Sequence, residues 1–328
     1  MNSNKILVTG ATGFIGSHLT ELLTKKGFNV IAFDRYNSNN DWGWLERSTC
    51  KNDFEVLLGD IRDYDSVSKA MKGCSSVFHL AALIGIPYSY ISPQAYIRTN
   101  IEGTYNVLES AKINEIEQVI ITSTSETYGT AQYVPIDEKH PSVGQSPYSA
   151  SKIAADQLAV SYYKSFGLPV KIVRPFNTYG PRQSARAIIP TVVSQLINGS
   201  STLKLGNLSP TRDLTYVEDT CSGFLKVYKS ELLFGEATNV GMSSEISIGD
   251  LTNLIARLMN IEITIDTSKE RIRPENSEVD RLFCDNEKLL TNTDWKPEYS
   301  LKKGLLEVIN WMKIKENLYH YKSDMYNV

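Results

Sequence analysis

Cysteine and histidine are scarce in this chain, and neither sign of charge is in large excess. The four cysteines lie far apart among 328 residues, with no CxxC pair and no histidine at ligand spacing. This excludes a disulfide framework, predicts no metal site and favours reduced thiols in a cytoplasmic protein. The 34 Lys and Arg residues against 37 Asp and Glu residues give a net charge of −3. That balance excludes the overall basic character of a nucleic-acid binder or a polybasic membrane binder.

Long hydrophobic runs are also missing. No apolar run reaches the roughly 20 residues that a membrane-spanning helix needs. The first residues enter an apolar strand pattern without the hydrophobic region of a signal peptide. With 41% hydrophobic and 22% charged residues, the composition is that of a globular protein with one large or two medium domains. We therefore expect a soluble protein with no membrane contact.

Two hydrophobic periods alternate over the first 175 residues. Short β-branched or apolar runs are found at 5–9, 29–33, 54–58, 76–80, 118–122 and 169–173. Between most of them lie stretches of helical spacing, such as Ile15, Leu19, Leu22 and Leu23, and this first helix is predicted to end at Gly27. Strands that alternate with helices predict an α/β fold whose parallel sheet is covered on both faces.

After residue 175 the pattern changes to prolines, loops and shorter segments. Helical spacing returns near 188–198, 219–230, 248–259 and 301–313. We predict a first domain over 1–175 and a smaller, mixed α/β lobe over 176–328. A segment near 213–240 is expected to rejoin the first sheet.

A glycine-rich turn directly follows the first predicted strand. Gly10, Gly13 and Gly16 form a GxxGxxG pattern that opens the first predicted helix. Backbone amides at a helix N-terminus attract a pyrophosphate, and the missing Cβ atoms let phosphates and sheet approach closely. Asp34 follows the second strand, where a carboxylate would accept hydrogen bonds from both ribose hydroxyls and repel a 2′-phosphate. This favours NAD over NADP, although Arg35 beside it could pair with a 2′-phosphate.

Tyr148 and Lys152 stand four residues apart in a helix that is predicted from Pro147 to about Phe166. Residues at this spacing face the same way. We therefore expect the ammonium group, together with a cationic nicotinamide ring, to lower the pKa of the phenol from its usual value of about 10. Such a tyrosine could deprotonate an alcohol while the alcohol is oxidised.

Together these motifs resemble the extended branch of the short-chain dehydrogenase/reductase family, the nucleotide-sugar epimerases and dehydratases. The resemblance rests on GATGFIG at 10–16, HLAA at 79–82, TSTSETYG at 122–129, YSASK at 148–152 and RPFNTYGPR at 174–182. It implies a Rossmann-type domain that holds NAD and a C-terminal lobe that holds a nucleoside-diphosphate sugar. It also implies a homodimer paired through two helices at about 94–113 and 148–166.

The resemblance further implies which residues contact the cofactor. They are Gly10, Thr12, Gly13, Phe14, Ile15, Gly16, Asp34, Arg35, Asp60, Ile61, Leu80, Ala81, Ala82, Asn100, Thr122, Tyr148, Lys152 and Pro175. From the residues alone, Asp60 and Ile61 are placed equally well to face the adenine or to form an exposed turn at the end of the third strand.

Thr124, Ser125 and Glu126 are the positions that separate the reactions of the family. In similar 4-epimerases the corresponding strand end carries small residues, whereas the 4,6-dehydratases have Thr-Asp-Glu. Glu126 stands at the Glu position, so the resemblance implies that Thr124, Ser125 and Glu126 act in catalysis with Tyr148 and Lys152. Ser125 departs from the dehydratase pattern, and we hypothesise that Glu126 passes the proton it takes from C5 to the leaving C6 oxygen, with Ser125 orienting it.

Four runs resemble more closely the bacterial dehydratases of the legionaminic acid pathway type, which act on a nucleotide-linked N-acetylglucosamine. The runs are 133–141, 174–190, 210–220 and 271–279. The resemblance implies that the substrate, a UDP- or GDP-linked amino sugar, is contacted by Thr124, Asn177, Arg182, Arg186, Arg212 and Arg273. Tyr88 could also line the sugar pocket, and packing in the core or in a dimer is equally plausible for it. A 4-epimerase is the alternative enzyme, and a non-catalytic nucleotide-binding protein is a further alternative that the set of Tyr148, Lys152 and Glu126 argues against.

Overall fold

The computed structural model describes residues 4–267, 271 and 274–323. Twelve strands are found in this part of the chain. They are β1 (Lys5–Thr9), β2 (Asn29–Arg35), β3 (Glu55–Gly59), β4 (Ser76–His79), β5 (Gln118–Thr122), β6 (Val170–Pro175), β7 (Asn177–Tyr179), β8 (Thr202–Leu205), β9 (Thr211–Tyr216), β10 (Ala237–Val240), β11 (Glu245–Ser247) and β12 (Thr264–Thr267).

The helices connect these strands and cover the main sheet. They are α1 (Phe14–Lys25), α2 (Tyr64–Met71), α3 (Ile86–Ile91), α4 (Pro93–Tyr96), α5 (Gly103–Ile113), α6 (Pro147–Phe166), α7 (Ile188–Ile197), α8 (Val217–Lys229), α9 (Ile248–Met259), α10 (Glu287–Asn292), α11 (Leu301–Met312) and α12 (Lys315–Leu318). A π-helical turn, Ile97–Glu102, joins α4 to α5. Among the described residues, no helix is long and apolar enough to cross a lipid bilayer.

The main sheet has seven strands in the order β10-β6-β5-β4-β1-β2-β3, and all of its pairs are parallel. Successive residues of β1 belong to cores on opposite faces, with Ile6 and Val8 in one and Leu7 in the other. Helices therefore cover both faces, which is why the strands read as nearly continuous apolar runs. The predicted α/β fold class is confirmed.

The second part of the chain forms two small sheets. One has the order β11-β9-β7, with β7 parallel and β11 antiparallel to β9, and the other pairs β12 with β8. The chain returns to the main sheet through α8 and β10, since β10 pairs with β6. Of the segment 213–240 that was predicted to rejoin the main sheet, the part in β9 belongs to the smaller mixed sheet, and the part in β10 pairs with β6.

Parallel strands determine where polar side chains collect. The carboxyl ends of β1, β2, β4 and β5 lie at one edge of the sheet, so the residues that follow these strands meet there. The helix α6 begins at this edge and starts sharply, because Ser146 and Ser149 form a capping box and Pro147 occupies the first turn. It ends at Gly167, whose φ of 67° is left-handed.

Candidate active site

The turn between β1 and α1 tolerates only glycine at two positions. Gly10 has a φ of 71°, and a Cβ atom there would lie 2.7 Å from the backbone nitrogen of Ala81. A Cβ atom on Gly16 would overlap the carbonyl oxygen of Gly10. Gly13 precedes the first residue of α1 and offers no side-chain acceptor, so the first N–H groups of the helix remain available to an anion.

A cavity of about 980 Å³ lies along this edge of the sheet. This volume is at the upper end of the roughly 300–1,000 Å³ range of small-molecule sites. Most residues that the sequence predicts as cofactor contacts line it, namely Gly10, Thr12, Gly13, Phe14, Ile15, Gly16, Asp34, Arg35, Asp60, Ile61, Leu80, Ala81, Ala82, Thr122, Tyr148 and Pro175. The structure thus brings together residues from strands β1 to β6 in one cleft.

Two carboxylates at this end of the cavity are held in different ways. Asp34 accepts a hydrogen bond at Oδ2 from the backbone nitrogen of Thr12 at 2.8 Å, which joins the end of β2 to the glycine turn. Asp60 accepts hydrogen bonds from Nε of Arg62 at 2.9 and 3.1 Å. These bonds hold the pKa of Asp60 below its usual range. Asp60 is therefore a charged group that is already paired.

The predicted catalytic side chains meet where β5 ends and α6 begins. Thr124, Ser125, Glu126 and Tyr148 all line the cavity. Thr124 caps a short 3-10 helix, since its hydroxyl accepts a hydrogen bond from the backbone nitrogen of Glu126 at 3.2 Å. This cap sets the direction in which the chain leaves the strand, and Thr124 and Glu126 both lie close enough to the phenol to affect its pKa.

Tyr148 is buried in the protein without its cofactor. Burial raises the pKa of its phenol, with Glu126 acting in the same direction, while a hydrogen bond with Thr124 opposes this shift. The ammonium of Lys152 is also buried and donates to the carbonyl oxygen of Thr122 at 2.6 Å, and the lowering of the phenol pKa by Lys152 together with a cationic nicotinamide stays a prediction. Lys152 also lies outside the cavity lining. A cationic ligand would have to supply the missing positive potential at the phenol.

A buried ion pair between Asp156 and Arg174 anchors α6 to the main sheet, and the sequence analysis did not predict it. Asp156 Oδ2 accepts hydrogen bonds from Ser123 at 2.6 Å and from Arg174 at 2.8 Å. Its charge opposes the lowering of the pKa of Lys152 that burial causes. The available signal was its position one turn after Lys152 in α6. The pair joins the ends of β5 and β6 to the helix that carries Tyr148.

Asn100 is not a cavity residue, in contrast to the prediction. Its side chain accepts a hydrogen bond from the nitrogen of Leu83 at 2.8 Å and donates to the oxygen of Leu83 and to Ser151, both at 2.9 Å. All of these contacts are internal, so Asn100 holds the wall after β4 against α6. The sequence shows only a polar residue within a helical pattern. It does not reveal that Asn100 bonds to Leu83, in the loop after β4.

His79 supports the same wall and was not predicted. Its ring nitrogens lie 2.8 Å from the Thr9 hydroxyl and 3.1 Å from the Thr104 hydroxyl. Burial lowers the pKa of His79 to about 3, so the ring is neutral and can accept from one hydroxyl while donating to the other. The HLAA run therefore contributes a buried hydrogen-bonded histidine below the glycine turn.

The residues predicted to hold the substrate are divided by the structure. Tyr88, Asn177, Arg186 and Arg212 line the cavity together with Thr124. Arg212 also lies 3.4 Å from the carboxylate of Glu278, a further lining residue that the sequence did not reveal. Arg182 does not line the cavity, since its guanidinium pairs with Glu21 on α1 at 3.0 Å. Arg273 lies outside the described residues.

Comparison with known proteins agrees with this geometry. The profile of the GDP-mannose 4,6 dehydratase family matches residues 7–308. A putative UDP-glucose 4-epimerase of Methanocaldococcus jannaschii is 31% identical over 94% of this chain and 98% of its own length. In the family, relatives of similar identity are divided between dTDP-glucose 4,6-dehydratases and UDP-sugar 4-epimerases.

Solved structures show the same division. The dTDP-glucose 4,6-dehydratase DesIV of Streptomyces venezuelae, with NAD bound, has a TM-score of 0.86 and 27% identity over 97% of this chain and 99% of that one. The UDP-glucuronic acid 4-epimerase of Bacillus cereus, with UDP-glucuronic acid and NAD bound, has a TM-score of 0.85 and 29% identity over 94% and 99%. The chain, with its glycine turn, Tyr148 and Lys152, thus belongs to the GDP-mannose 4,6-dehydratase family of nucleotide-sugar dehydratases and epimerases.

Proposed function

We propose that this enzyme is an NAD-dependent 4,6-dehydratase that converts a nucleoside-diphosphate N-acetylglucosamine into its 4-keto-6-deoxy sugar. The observation that carries the proposal is Glu126, whose carboxylate lines the cavity beside Tyr148. That carboxylate has no hydrogen-bond or ion-pair partner in the part of the chain that the structure describes. A 4-epimerase needs one base, at C4, whereas a dehydratase needs a second proton-transfer group at C5.

The residues of the cavity fit NAD. The glycine turn is a cradle that a Cβ atom on Gly10 or Gly16 would close, because each would meet backbone atoms. Its amides would hold the pyrophosphate, and Asp34 would hold the adenosine ribose. When bound, NAD supplies the oxidising equivalent at C4 of the sugar and its return at C6.

Asp34 also decides the choice between NAD and NADP in this proposal. The change Asp34→Ser removes the negative charge that would repel a 2′-phosphate and keeps a hydroxyl that can accept from Thr12. We expect the NAD-to-NADP affinity ratio, measured by calorimetry, to fall at least about tenfold. An unchanged ratio would show that Asp34 does not contact the ribose.

Tyr148 removes the proton of the C4 hydroxyl in this mechanism. Its hydrogen bond with Thr124 favours the phenolate and so opposes the rise in pKa that burial causes. Lys152 is held at the carbonyl of Thr122 and does not line the cavity. On balance the surroundings raise the pKa of Tyr148, so forming the phenolate requires the cationic cofactor.

Glu126 acts on the neighbouring carbon. Once C4 is a ketone, the C5 proton is acidic enough for a carboxylate to remove it. The C5–H electron pair then forms the C5–C6 double bond as the C6–O bond breaks, and the leaving oxygen receives a proton and departs as water. Ser125 is buried and stands where related dehydratases have Asp, so Glu126 itself passes the C5 proton to the leaving C6 oxygen. The hydride that left C4 is then returned to C6, and C5 takes a proton from solvent, which gives the 4-keto-6-deoxy sugar.

The other end of the cavity suits a nucleoside diphosphate. Arg186 and Arg212 would bind its phosphate oxygens, because a guanidinium can donate two parallel hydrogen bonds to them. Asn177 adds a buried side-chain oxygen, Oδ1, that has no partner among the described residues. We further propose that residues 1–175 with β10 carry the cofactor and that the rest of 176–328 carries the sugar nucleotide.

A 4-epimerase is the second candidate, and Ser125 favours it. A dehydratase of the usual pattern has a second carboxylate at this position, and related epimerases have small residues. The two activities differ in product: a dehydratase releases water and an epimerase inverts C4 without a change of mass.

One experiment separates the two enzymes and a non-catalytic binder. The purified protein is incubated with UDP- and GDP-N-acetylglucosamine in deuterated water, and the products are analysed by mass spectrometry and NMR. Loss of water with deuterium at C5 is the expected result. Inversion at C4 with unchanged mass would replace the proposal by the epimerase, and binding without turnover would replace it by a nucleotide-binding protein.

We also propose a homodimer through the helical segment 93–113 and α6. Ile97 and Tyr105 are 49% and 46% exposed. With Ile101 between them they recur every four residues, so they form an apolar stripe that a second copy would cover. Sedimentation should give twice the chain mass, and Ile97→Asp with Tyr105→Asp should give the monomer. A monomeric wild-type protein would contradict this arrangement.

A further inference from the structure

The loop after β7 contacts α1, the helix that begins at the glycine turn. Arg182 in this loop donates from Nη1 to the hydroxyl of Ser17 at 3.1 Å and pairs through Nη2 with Glu21 at 3.0 Å. The two charged side chains are only 15% and 12% exposed. At this burial an ion pair is screened little by solvent, so it is stronger than a surface pair.

The backbone of Arg182 is in a conformation that a non-glycine residue seldom adopts. Its φ is 71°, in the left-handed region. Such a conformation is unfavourable for a residue with a Cβ atom and persists only where the surroundings enforce it. Ser17 and Glu21 supply the enforcing contacts, so the side chain of Arg182 determines the course of its own loop.

Two further bonds hold the loop from either side. His18 on α1 lies with Nε2 3.1 Å from the carbonyl oxygen of Pro181. Burial lowers the pKa of His18 to about 4, so the neutral ring donates this bond. Tyr321, near the end of the described chain, donates its hydroxyl to the carbonyl oxygen of Gln183 at 2.8 Å.

The residues that follow Arg182 form a wall of the cavity. Gln183, Ser184 and Arg186 all line it, and Arg186 crosses so close to Gly85 that a Cβ atom there would overlap the guanidinium. The position of Arg186 relative to the glycine turn therefore depends on how the loop is attached to α1.

We infer that Arg182 is a positioning residue: its pair with Glu21 clamps the Gln183–Arg186 wall to α1 and so sets Arg186 to receive the diphosphate of the substrate. Arg182 itself does not line the cavity. The inference rests on the proposed nucleotide-sugar site. It means that Ser17 and Glu21 on α1 affect substrate affinity through their contacts with Arg182. The clamp joins the element that would bind the cofactor's phosphates to the element that would bind those of the substrate.

Two single variants and their combination test the clamp. Arg182→Gly removes the guanidinium and suits the left-handed backbone, and Glu21→Gln removes the partner's charge without altering the loop. Each should weaken binding of UDP- or GDP-N-acetylglucosamine about tenfold by calorimetry, and the double variant should be no worse than either alone. Affinity for NAD and kcat at saturating substrate should stay within about twofold of wild type. A general loss of structure would instead lower substrate affinity, NAD affinity and kcat together.

Lys288→Met is the matched control, since it also removes a partly buried cation from an ion pair. Lys288 pairs with Glu236 at 2.6 Å, and neither residue lines the cavity. It should leave substrate affinity unchanged. If Arg182→Gly binds the nucleotide sugar as tightly as wild type, the clamp has no positioning role. If the two substitutions weaken binding additively, the effect does not pass through the pair. If wild-type protein binds neither nucleotide sugar, the proposed function fails instead, which is a separate outcome.

Tyr321→Phe provides a second test for the case in which Arg182→Gly does not fold. It deletes one hydroxyl and keeps the ring in the core. A weakening of substrate affinity by about twofold to fivefold, with unchanged NAD affinity, is expected from the loss of one hydrogen bond to the wall. Equal affinities for wild type and Tyr321→Phe would contradict the view that this attachment positions Arg186.

Discussion

Tyr148→Phe is expected to lower kcat by about 10²–10⁴-fold, the range for loss of a general base. In the proposed mechanism the phenol takes the proton of the C4 hydroxyl, and phenylalanine fills the same buried space without a proton acceptor. Affinities for NAD and for the nucleotide sugar should stay close to wild type. The measurement is single-turnover formation of reduced nicotinamide, followed by its absorbance.

Tyr162→Phe is the matched control, because Tyr162 lies on the same helix, is also buried and bonds through its hydroxyl to Glu109 at 2.8 Å, away from the cavity. It should keep nearly full activity. A Tyr148→Phe enzyme that still oxidises C4 at the wild-type rate would show that another group removes the proton.

The pH dependence of the wild-type enzyme follows from the same residue. Burial raises the pKa of Tyr148, so at neutral pH the phenol is mostly protonated and inactive as a base. The active phenolate fraction grows with pH below the pKa, and kcat/KM should therefore rise from neutral toward alkaline pH. A cationic cofactor shifts this rise to lower pH without changing its sign. A kcat/KM that falls over this range while the protein stays folded would exclude Tyr148 as the base.

Glu126→Gln should abolish dehydration while leaving C4 oxidation in place. Glutamine has nearly the same shape and cannot take the C5 proton, so release of water should fall by about 10²-fold or more. Deuterium exchange at C5 should be lost to the same extent. Reduced nicotinamide should accumulate, because the sequence of steps stops at the 4-keto sugar. The variant thus separates the roles of Glu126 and Tyr148 on adjacent carbons.

Glu138→Gln serves as the control for this carboxylate. Glu138 is also partly buried, but it accepts a hydrogen bond from the backbone of Asn239 at 2.7 Å and does not line the cavity. The amide can keep that bond, so dehydration should proceed. If Glu126→Gln still incorporates deuterium at C5 at the native rate, Glu126 is not the C5 base and the epimerase becomes the better description.

Local sequence predicted the elements that bear the chemistry. The helix from Pro147 to Phe166 was predicted within its observed bounds, and the structure shows that these bounds are set locally, since proline, the serine capping box and the terminal glycine act over single turns. The glycine turn was identifiable because steric exclusion of Cβ restricts Gly10 and Gly16 to one residue type. In each case the deciding interaction lies within a few residues along the chain.

The partners of the polar side chains were not predictable in this way. Arg182 has the same charge and motif context as Arg186, yet one pairs with Glu21 and the other lines the cavity. Asn100 and Lys152 are likewise occupied by backbone groups from other elements. These outcomes depend on contacts between residues that are 30 or more positions apart in most cases, and a side chain's type does not reveal which distant group it reaches.

The sequence by itself therefore determined the parallel α/β sheet and the dinucleotide-type turn. Their positions follow from short-range rules, since hydrophobic period and glycine sterics are local, whereas the roles of Thr124, Glu126 and Tyr148 were implied by the resemblance to the family. Only the tertiary structure decided the protonation environment of Tyr148, the return of β10 to the main sheet and the attachment of the Arg182 loop to α1. These depend on burial and on charge pairing across the fold, which are determined only when the elements pack together.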